Sequence, residues 1–329
     1  MPFAPEDKPG VSIVIPTWNA GKEFPAILER MMAQNCDRPY EILCIDSGSG
    51  DGTVEFLESR PVRLIRIPNH EFDHGLTRNL GIREAKGEIV ILATQDAMPF
   101  DEHWMQRLVD CFDDPRVAGA YSRQLPRPDA NPFIKDRLSS WVASREEPRV
   151  QEIEDPSSFE ALPPLEKLAR VAFDNVSSSV RRATALEIPF RKRRFGEDLD
   201  WGHRVVLAGW KVVFEPRSKV VHSHNNSIWY EFKRIYLDHH NLHQLFGVHT
   251  IPRWRDVWNC SLHGIGHFLK VVARDPGLSP PGRLLWWSKV IPYAFSQNLA
   301  QFLGARSVRK LKEGSRAYAW LDRILRRGV

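Results

Sequence analysis

The alternation of short β-branched runs with helical stretches over the first hundred residues constrains this chain more than any other feature. VSIVIPT (11–17), YEILCID (40–46), VRLIRIP (62–68) and EIVILAT (88–94) read as strands, with residues 22–35, DGTVEFLES (51–59) and GLTRNLGIREAK (75–86) as the helices between them. Short β-branched strands, each followed by a helix, predict a mostly parallel sheet covered on both faces. In such a sheet ligands gather beyond the carboxyl ends of the strands, so the segments that follow those ends are where chemistry is expected.

Between about 121 and 165 the pattern dissolves into QLPRPDANPF and EEPRVQEIEDPSSFEALPP, rich in proline and acid, which read as a long substrate loop rather than as core. NVSSSVRR (175–182), a helix around 197–209, WKVVFEP (210–216) and VVHSH (220–224) restore order and end the sheet. From 228 onward the chain reads as helical. Leu284, Trp287, Ile291, Phe295, Leu299 and Phe302 recur at three- and four-residue steps and form one apolar helix face, bent at Pro292.

Four places carry candidate chemistry. PTWNA (16–20) and DSGSGDGT (46–53) follow the first two strands, where small residues let the backbone approach a planar base and Asp46 and Asp51 can accept hydrogen bonds. The alternative is that the glycines build a turn and Asp51 caps the next helix. HGLTRN (74–79) opens a helix, where Arg78 can neutralise a diphosphate, and ILATQDA (91–97) puts Asp96 where a carboxylate can hold a hard divalent ion or simply end a strand. FGEDLDWGHR (195–204) sets Glu197, Asp198 and Asp200 at a helix start, favourable for the helix dipole and equally suited to a general base. In VVHSHNNS (220–227), His222 and His224 lie two apart on an extended segment and so share a side. His239, His240 and His243, in the helix that follows, read as surface or packing histidines.

Taken in order, PTWNA, DSGSGDGT, TRNLG, TQDA, GEDLDWG and VVHSH resemble glycosyltransferase family 2, whose members adopt the GT-A fold. NHEFDHGLTRNLGI with ILATQDAMP and VVHSHNNS is most similar to the bacterial rhamnosyltransferases of O-antigen and exopolysaccharide assembly. The resemblance implies an α/β domain over 1–226, its nucleotide-binding half at about 11–120 and its acceptor-side half at about 121–226, followed by a helical region over 227–329. It implies that Pro16, Thr17 and Asn19 form the first nucleotide-contacting loop and that Asp46 and Ser47 touch the base. It further implies that Arg78 lies near the diphosphate, Gln95 and Asp96 face the donor, and Glu197 and Trp201 stand on the acceptor side.

Asp96 matches the last carboxylate of the family's DxD metal motif, whose first acidic position is Thr94 here. His222 is similar to the family's late metal-binding histidine, with His224 as the fallback, and Asp198 matches the catalytic base. The implied reaction is an inverting transfer from a dTDP- or UDP-sugar, rhamnose favoured, to a saccharide hydroxyl, assisted by Mg2+ or Mn2+. Thr94 keeps open the alternative of a degenerate, non-catalytic transferase that binds a carbohydrate or a partner.

Charge divides the chain. Residues 225–329 hold 16 Lys and Arg against 6 Asp and Glu, together with Trp229, Trp254, Trp258, Trp286, Trp287 and Trp320. Tryptophan and cations on amphipathic helices suit the surface of the cytoplasmic membrane, where a lipid-diphosphate-linked acceptor would be presented; packing against the catalytic domain or a homodimer partner is the competing use. No nucleic-acid signature accompanies the basic residues. MPFAPEDKPG lacks the basic and apolar regions of a signal peptide, and four scattered cysteines without a CxxC pair fit a reducing compartment, so a cytoplasmic location is expected, peripheral at the inner face of the membrane.

Overall fold

The computed structural model describes residues 9–328, so the opening segment read above for a leader lies outside it apart from Pro9 and Gly10. Among the described residues one sheet gathers nine strands: β1 (Val11–Thr17), β2 (Tyr40–Asp46), β3 (Arg63–Arg66), β4 (Ile89–Ala93), β5 (Met98–Pro99), β6 (Val117–Leu125), β7 (Arg149–Gln151), β8 (Ser177–Arg181) and β9 (Lys211–Val221). Their order is β3-β2-β1-β4-β8-β6-β9-β5, with β7 also on β9. The β3-β2-β1-β4 half is parallel, as the alternation predicts. β8 then runs antiparallel to both β4 and β6, which makes the sheet mixed.

The helices are α1 (Phe24–Met32), α2 (Thr53–Glu58), α3 (His74–Glu84), α4 (Trp104–Asp110), α5 (Pro132–Ser140), α6 (Pro156–Ala161), α7 (Pro164–Val171), α8 (Arg182–Glu187), α9 (Glu197–Leu207), α10 (Ile228–Phe246), α11 (Trp254–Arg274), α12 (Pro280–Lys312) and α13 (Arg316–Leu325). Val11, Ile13 and Ile15 turn one face of β1 toward Phe24, Ile27 and Leu28 of α1 and Trp104 and Leu108 of α4. Val14 points to the other face, where α3 lies so close that a Cβ on Gly81 would stand 2.2 Å from it. Burial on both faces explains why these strands carry no polar alternation.

The stretch expected to be a substrate loop is instead structured. β6 lies near the middle of the sheet, between β8 and β9, and α5, β7, α6 and α7 follow it. The strand is hard to read because small and polar residues, Gly119, Ala120, Ser122 and Gln124, are buried beside Val117 and Tyr121, and its sheet partners lie more than fifty residues downstream.

By packing, the chain divides into two compact units. One takes the chain up to Arg127 with Leu138–Ala161 and Ala169–Ser223, and holds the whole sheet; the other takes Pro128–Arg137, Leu162–Leu168 and the chain from His224. The first unit thus leaves out 128–137, 162–168 and 224–226 of the 1–226 stretch expected above.

In the second unit, Ser227 caps α10 by accepting from the Tyr230 N–H, and a reciprocal pair between Arg253 and Asp256 caps α11. α12 runs 33 residues straight through Pro292. Phe133 stacks on Tyr293 at 4.1 Å beside buried Val272 and Val290. The apolar face expected on α12 is split: Phe302 is buried, while Leu284 and Ile291 are open to solvent. His239, His240 and His243 each place Nδ1 on a partner, the Ile235 carbonyl, the Ser307 hydroxyl and the Val248 carbonyl, as expected of packing histidines. No helix among the described residues is long and apolar enough to cross a membrane.

Candidate active site

Two loops beyond the carboxyl ends of β1 and β2 are laced together. The Asn19 amide oxygen accepts from the Gly50 N–H while the Ser49 hydroxyl accepts from the Asn19 N–H, and Asn19 takes a left-handed φ of 43° to do so. The Asp46 carboxylate is buried. It accepts from the Gly48 and Ser49 N–H groups and from the Thr17 and Ser49 hydroxyls, which occupies the four lone-pair sites a carboxylate offers. Its expected contact with a base is therefore corrected: Asp46 shapes the loop, and Ser47, buried with its hydroxyl on the Thr17 carbonyl, does the same. Asp51 accepts from both the N–H and the hydroxyl of Thr53 at the start of α2, the capping alternative, and that hydroxyl holds its carboxyl below the usual range. Gln95 joins this platform by exchanging two hydrogen bonds with the Trp18 backbone. Pro16 is half-buried, whereas the Trp18 ring stands exposed between the loops, a functional candidate whose only sequence signal is a large aromatic inside a run of small polar residues.

The three acids that open α9 do three different things. Gly196, in a left-handed conformation, turns the chain into the helix. Glu197 meets Arg78 at 2.8 Å with both side chains buried, and Arg78 also donates to the His74 and Asn175 carbonyls. Arg78 and Glu197 are thereby corrected from diphosphate and acceptor contacts to a buried bridge between α3 and α9. Asp200 is held by Arg193 and Arg204.

Asp198 alone of the three has no cationic partner among the described residues; it accepts from the Asn175 and Leu199 N–H groups. Burial, reinforced by the nearby charges of Glu197 and Asp174, raises its carboxyl from 3.8 to about 8. Asn175 directly precedes Val176, whose carbonyl accepts from the Thr94 N–H just past β4, so Asp198 belongs to the carboxyl end of the parallel strands. Trp201 is corrected as well. It is fully buried against Phe173 and Phe190 with its N–H on the Ile188 carbonyl, and acts as core.

On the same edge, Asp96 and His222 come together with Oδ2 and Nε2 3.6 Å apart. A relay absent from the sequence reading fixes the imidazole. Gln124 donates to the Asp174 carboxylate at 2.6 Å, which turns its carbonyl oxygen toward His222 Nδ1 at 3.2 Å and makes that nitrogen the donor. Trp141 donates to the same Asp174 oxygen. His222 Nε2 is left to face Asp96, the second-sphere arrangement that prepares a histidine for a cation. An imidazole nitrogen and a carboxylate oxygen at this spacing fit a divalent ion, and Arg127, which is ion-paired with Glu23, also donates to the Asp96 backbone carbonyl. Thr94, in place of a second carboxylate, turns its hydroxyl to the Val176 carbonyl. The strand stops at Val221; His224, the other histidine considered for the ion, is exposed and is the first residue of the second unit.

Residues 12–165 match the model of glycosyl transferase family 2. The O-antigen chain rhamnosyltransferase RfbN of Salmonella typhimurium is 31% identical over 232 residues, spanning 69% of this chain and 70% of that protein. The chain belongs to glycosyltransferase family 2. A second relative, the O-antigen chain rhamnosyltransferase WbaN of Salmonella anatum, is 28% identical over the same shares of the two chains. Among solved structures, that of S. aureus TarS superposes with a TM-score of 0.51 at 14% identity, over 91% of this chain and 55% of that one, a likeness of fold. The architecture is the GT-A fold, and the protein is a glycosyltransferase.

Proposed function

We propose that this glycosyltransferase moves a deoxyhexose, rhamnose, from its dTDP- or UDP-activated form to a hydroxyl of a saccharide acceptor with inversion, as the names of its two Salmonella relatives support. The acceptor is carried on a lipid diphosphate at the inner face of the cell membrane, and the enzyme works there peripherally. The observation that carries the reading is Asp198, a carboxylate without a cation to neutralise it, held beside the carboxyl ends of the strands and made basic by burial.

Asp198 takes the proton from the acceptor hydroxyl as that oxygen attacks the anomeric carbon, and the nucleoside diphosphate leaves from the opposite face. Arg78 holds Glu197, and through it the first turn of α9, so that the base keeps its place. The loops shaped by Asp46 and Asn19 receive the nucleotide, with the Trp18 ring as a stacking surface for the base and Pro16, Thr17 and Gln95 beneath it. Asp96 and His222 are the residues that would hold Mg2+ or Mn2+, which supplies positive charge for the departing diphosphate.

A donor screen tests the reading. dTDP-rhamnose with Mn2+ should raise the melting temperature more than UDP-glucose, UDP-galactose or GDP-mannose, and should be turned over only when a saccharide acceptor is present. A larger shift with GDP-mannose overturns the donor assignment, and turnover unaffected by Asp198→Asn overturns the base.

A further inference from the structure

Helices α11 and α12 pair antiparallel: Trp254 meets Phe302, Trp258 meets Phe295 at 4.9 Å, and Trp287 donates its indole N–H to the Leu269 carbonyl. Their inner seam is closed by Ser261, whose hydroxyl donates to the Val257 and Ala294 carbonyls. The outer side is another matter. At 3.6 residues per turn, Trp258, Leu262 and Leu269 fall within an arc of about 40° on α11, and Leu284, Trp287 and Ile291 within about 60° on α12. The Trp258–Phe295 and Leu269–Trp287 contacts set the two stripes side by side. All six are exposed, Leu262 to 61%, Leu284 to 69% and Ile291 to 58%.

Charge around this face has one sign. Between Val257 and Lys312 the sequence contains a single acid, Asp275, and that acid is buried with Lys135 on it. Lys270 and Arg283, which flank the two stripes, have no carboxylate partner among the described residues. A second copy of the chain is a poor cover for such a face, because a two-fold interface brings a patch against itself and these cations would meet cations. Negative headgroups above an apolar layer complement both features at once: the indoles sit at headgroup depth, the aliphatic side chains reach the acyl boundary, and the lysines and arginines pair with phosphate.

We propose that the Trp258–Leu262–Leu269 stripe of α11 and the Leu284–Trp287–Ile291 stripe of α12 together form a docking face for an anionic phospholipid surface. The face lies in the interface without spanning it, and no helix among the described residues is long and apolar enough to cross. Its biological purpose rests on the lipid-linked acceptor proposed above, although its physics does not.

The test is sedimentation of the full chain with vesicles of phosphatidylglycerol and phosphatidylcholine, against vesicles of phosphatidylcholine alone. The protein should pellet with the anionic vesicles and release as salt rises. Leu284→Ser with Ile291→Ser, and separately Lys270→Glu with Arg283→Glu, should each lower the bound fraction by about tenfold. Both variants should keep the wild-type melting temperature and donor turnover on a soluble acceptor, which separates lost docking from lost folding. Failure of the wild type to pellet, pelleting that neither variant alters, or a salt-resistant dimer that Leu284→Ser with Ile291→Ser turns into monomer each overturns the docking face. Normal vesicle binding with no sugar transfer from any donor would instead leave the face standing and remove the enzymatic reading.

Discussion

The sheet-bearing unit and the helical unit spend their charged and aromatic residues in opposite ways. In the first, Arg78, Glu197, Asp200, Arg193 and Arg204 are paired and withdrawn from solvent, and Trp104 and Trp201 are fully buried. In the second, Trp254, Trp258, Trp287 and Trp320 stand exposed, and the cations near the first three have few acids to meet. The contrast separates chemistry from placement. A site that must hold one carboxylate basic keeps cations off that group by engaging them elsewhere, whereas a surface that must find another surface keeps its rings and cations outside.

The hardest blow to the first half of that comparison is Asp198→Asn. Loss of a general base should reduce turnover by roughly 10² to 10⁴-fold with donor affinity retained. The same change should stabilise the protein. An acid whose folded value lies near 8 instead of 3.8 binds more protons folded than unfolded across that interval, so its contribution to stability falls as pH rises from about 4 to about 8. Thermal unfolding should show Asp198→Asn melting higher than wild type on the alkaline side and converging with it in acid. For the wild type, kcat/KM should climb with pH toward about 8. A variant that loses activity and stability together would mean that Asp198 is a structural residue.

Next in size is the buried bridge. Arg78→Met strands Glu197 without a counter-charge, which should cost about 3–5 kcal/mol in chemical denaturation, and pairing it with Glu197→Gln should recover much of the loss. Full activity in the double variant would show that the bridge serves stability alone. A stable but slow double variant would tie it to the position of Asp198.

How much of this was legible in the sequence follows from how local each signal is. β1, β2 and β4 were readable because strands buried on both faces carry nearly continuous apolar runs, and Asp198 was readable because three acids at a helix start stand out. Direction was not. The motif put Arg78, Glu197 and Trp201 near the site, but whether a side chain faces a cleft or the core depends on elements a hundred residues away, and all three face inward. Gln124 and Asp174 were invisible for the same reason: β6 and the segment before β8 approach each other only in the folded sheet. Their relay gives the third prediction. Gln124→Leu should weaken Mn2+ binding in the presence of nucleoside diphosphate by roughly 10–100-fold, read by paramagnetic titration, because His222 loses the partner that fixes its tautomer. Unchanged affinity would take His222 out of the ion site.

The smallest expected effect tests the second half of the comparison most directly. Ile13→Ala, in the core of the sheet, removes packed atoms and should cost about 2–5 kcal/mol. Leu284→Ser and Ile291→Ser remove side chains of equal size, yet each should change the free energy of unfolding by no more than about 0.5 kcal/mol, because these side chains are mostly in water in the folded state and gain little on unfolding. The near-silence is the informative outcome. A large hydrophobic residue that contributes little to folding is retained on a surface at a risk of aggregation, and that risk is tolerable only where the surface is covered in use. If either serine variant proved as costly as Ile13→Ala, the hairpin face would already be buried in the isolated protein, and the two units would differ in composition but not in the way they use it.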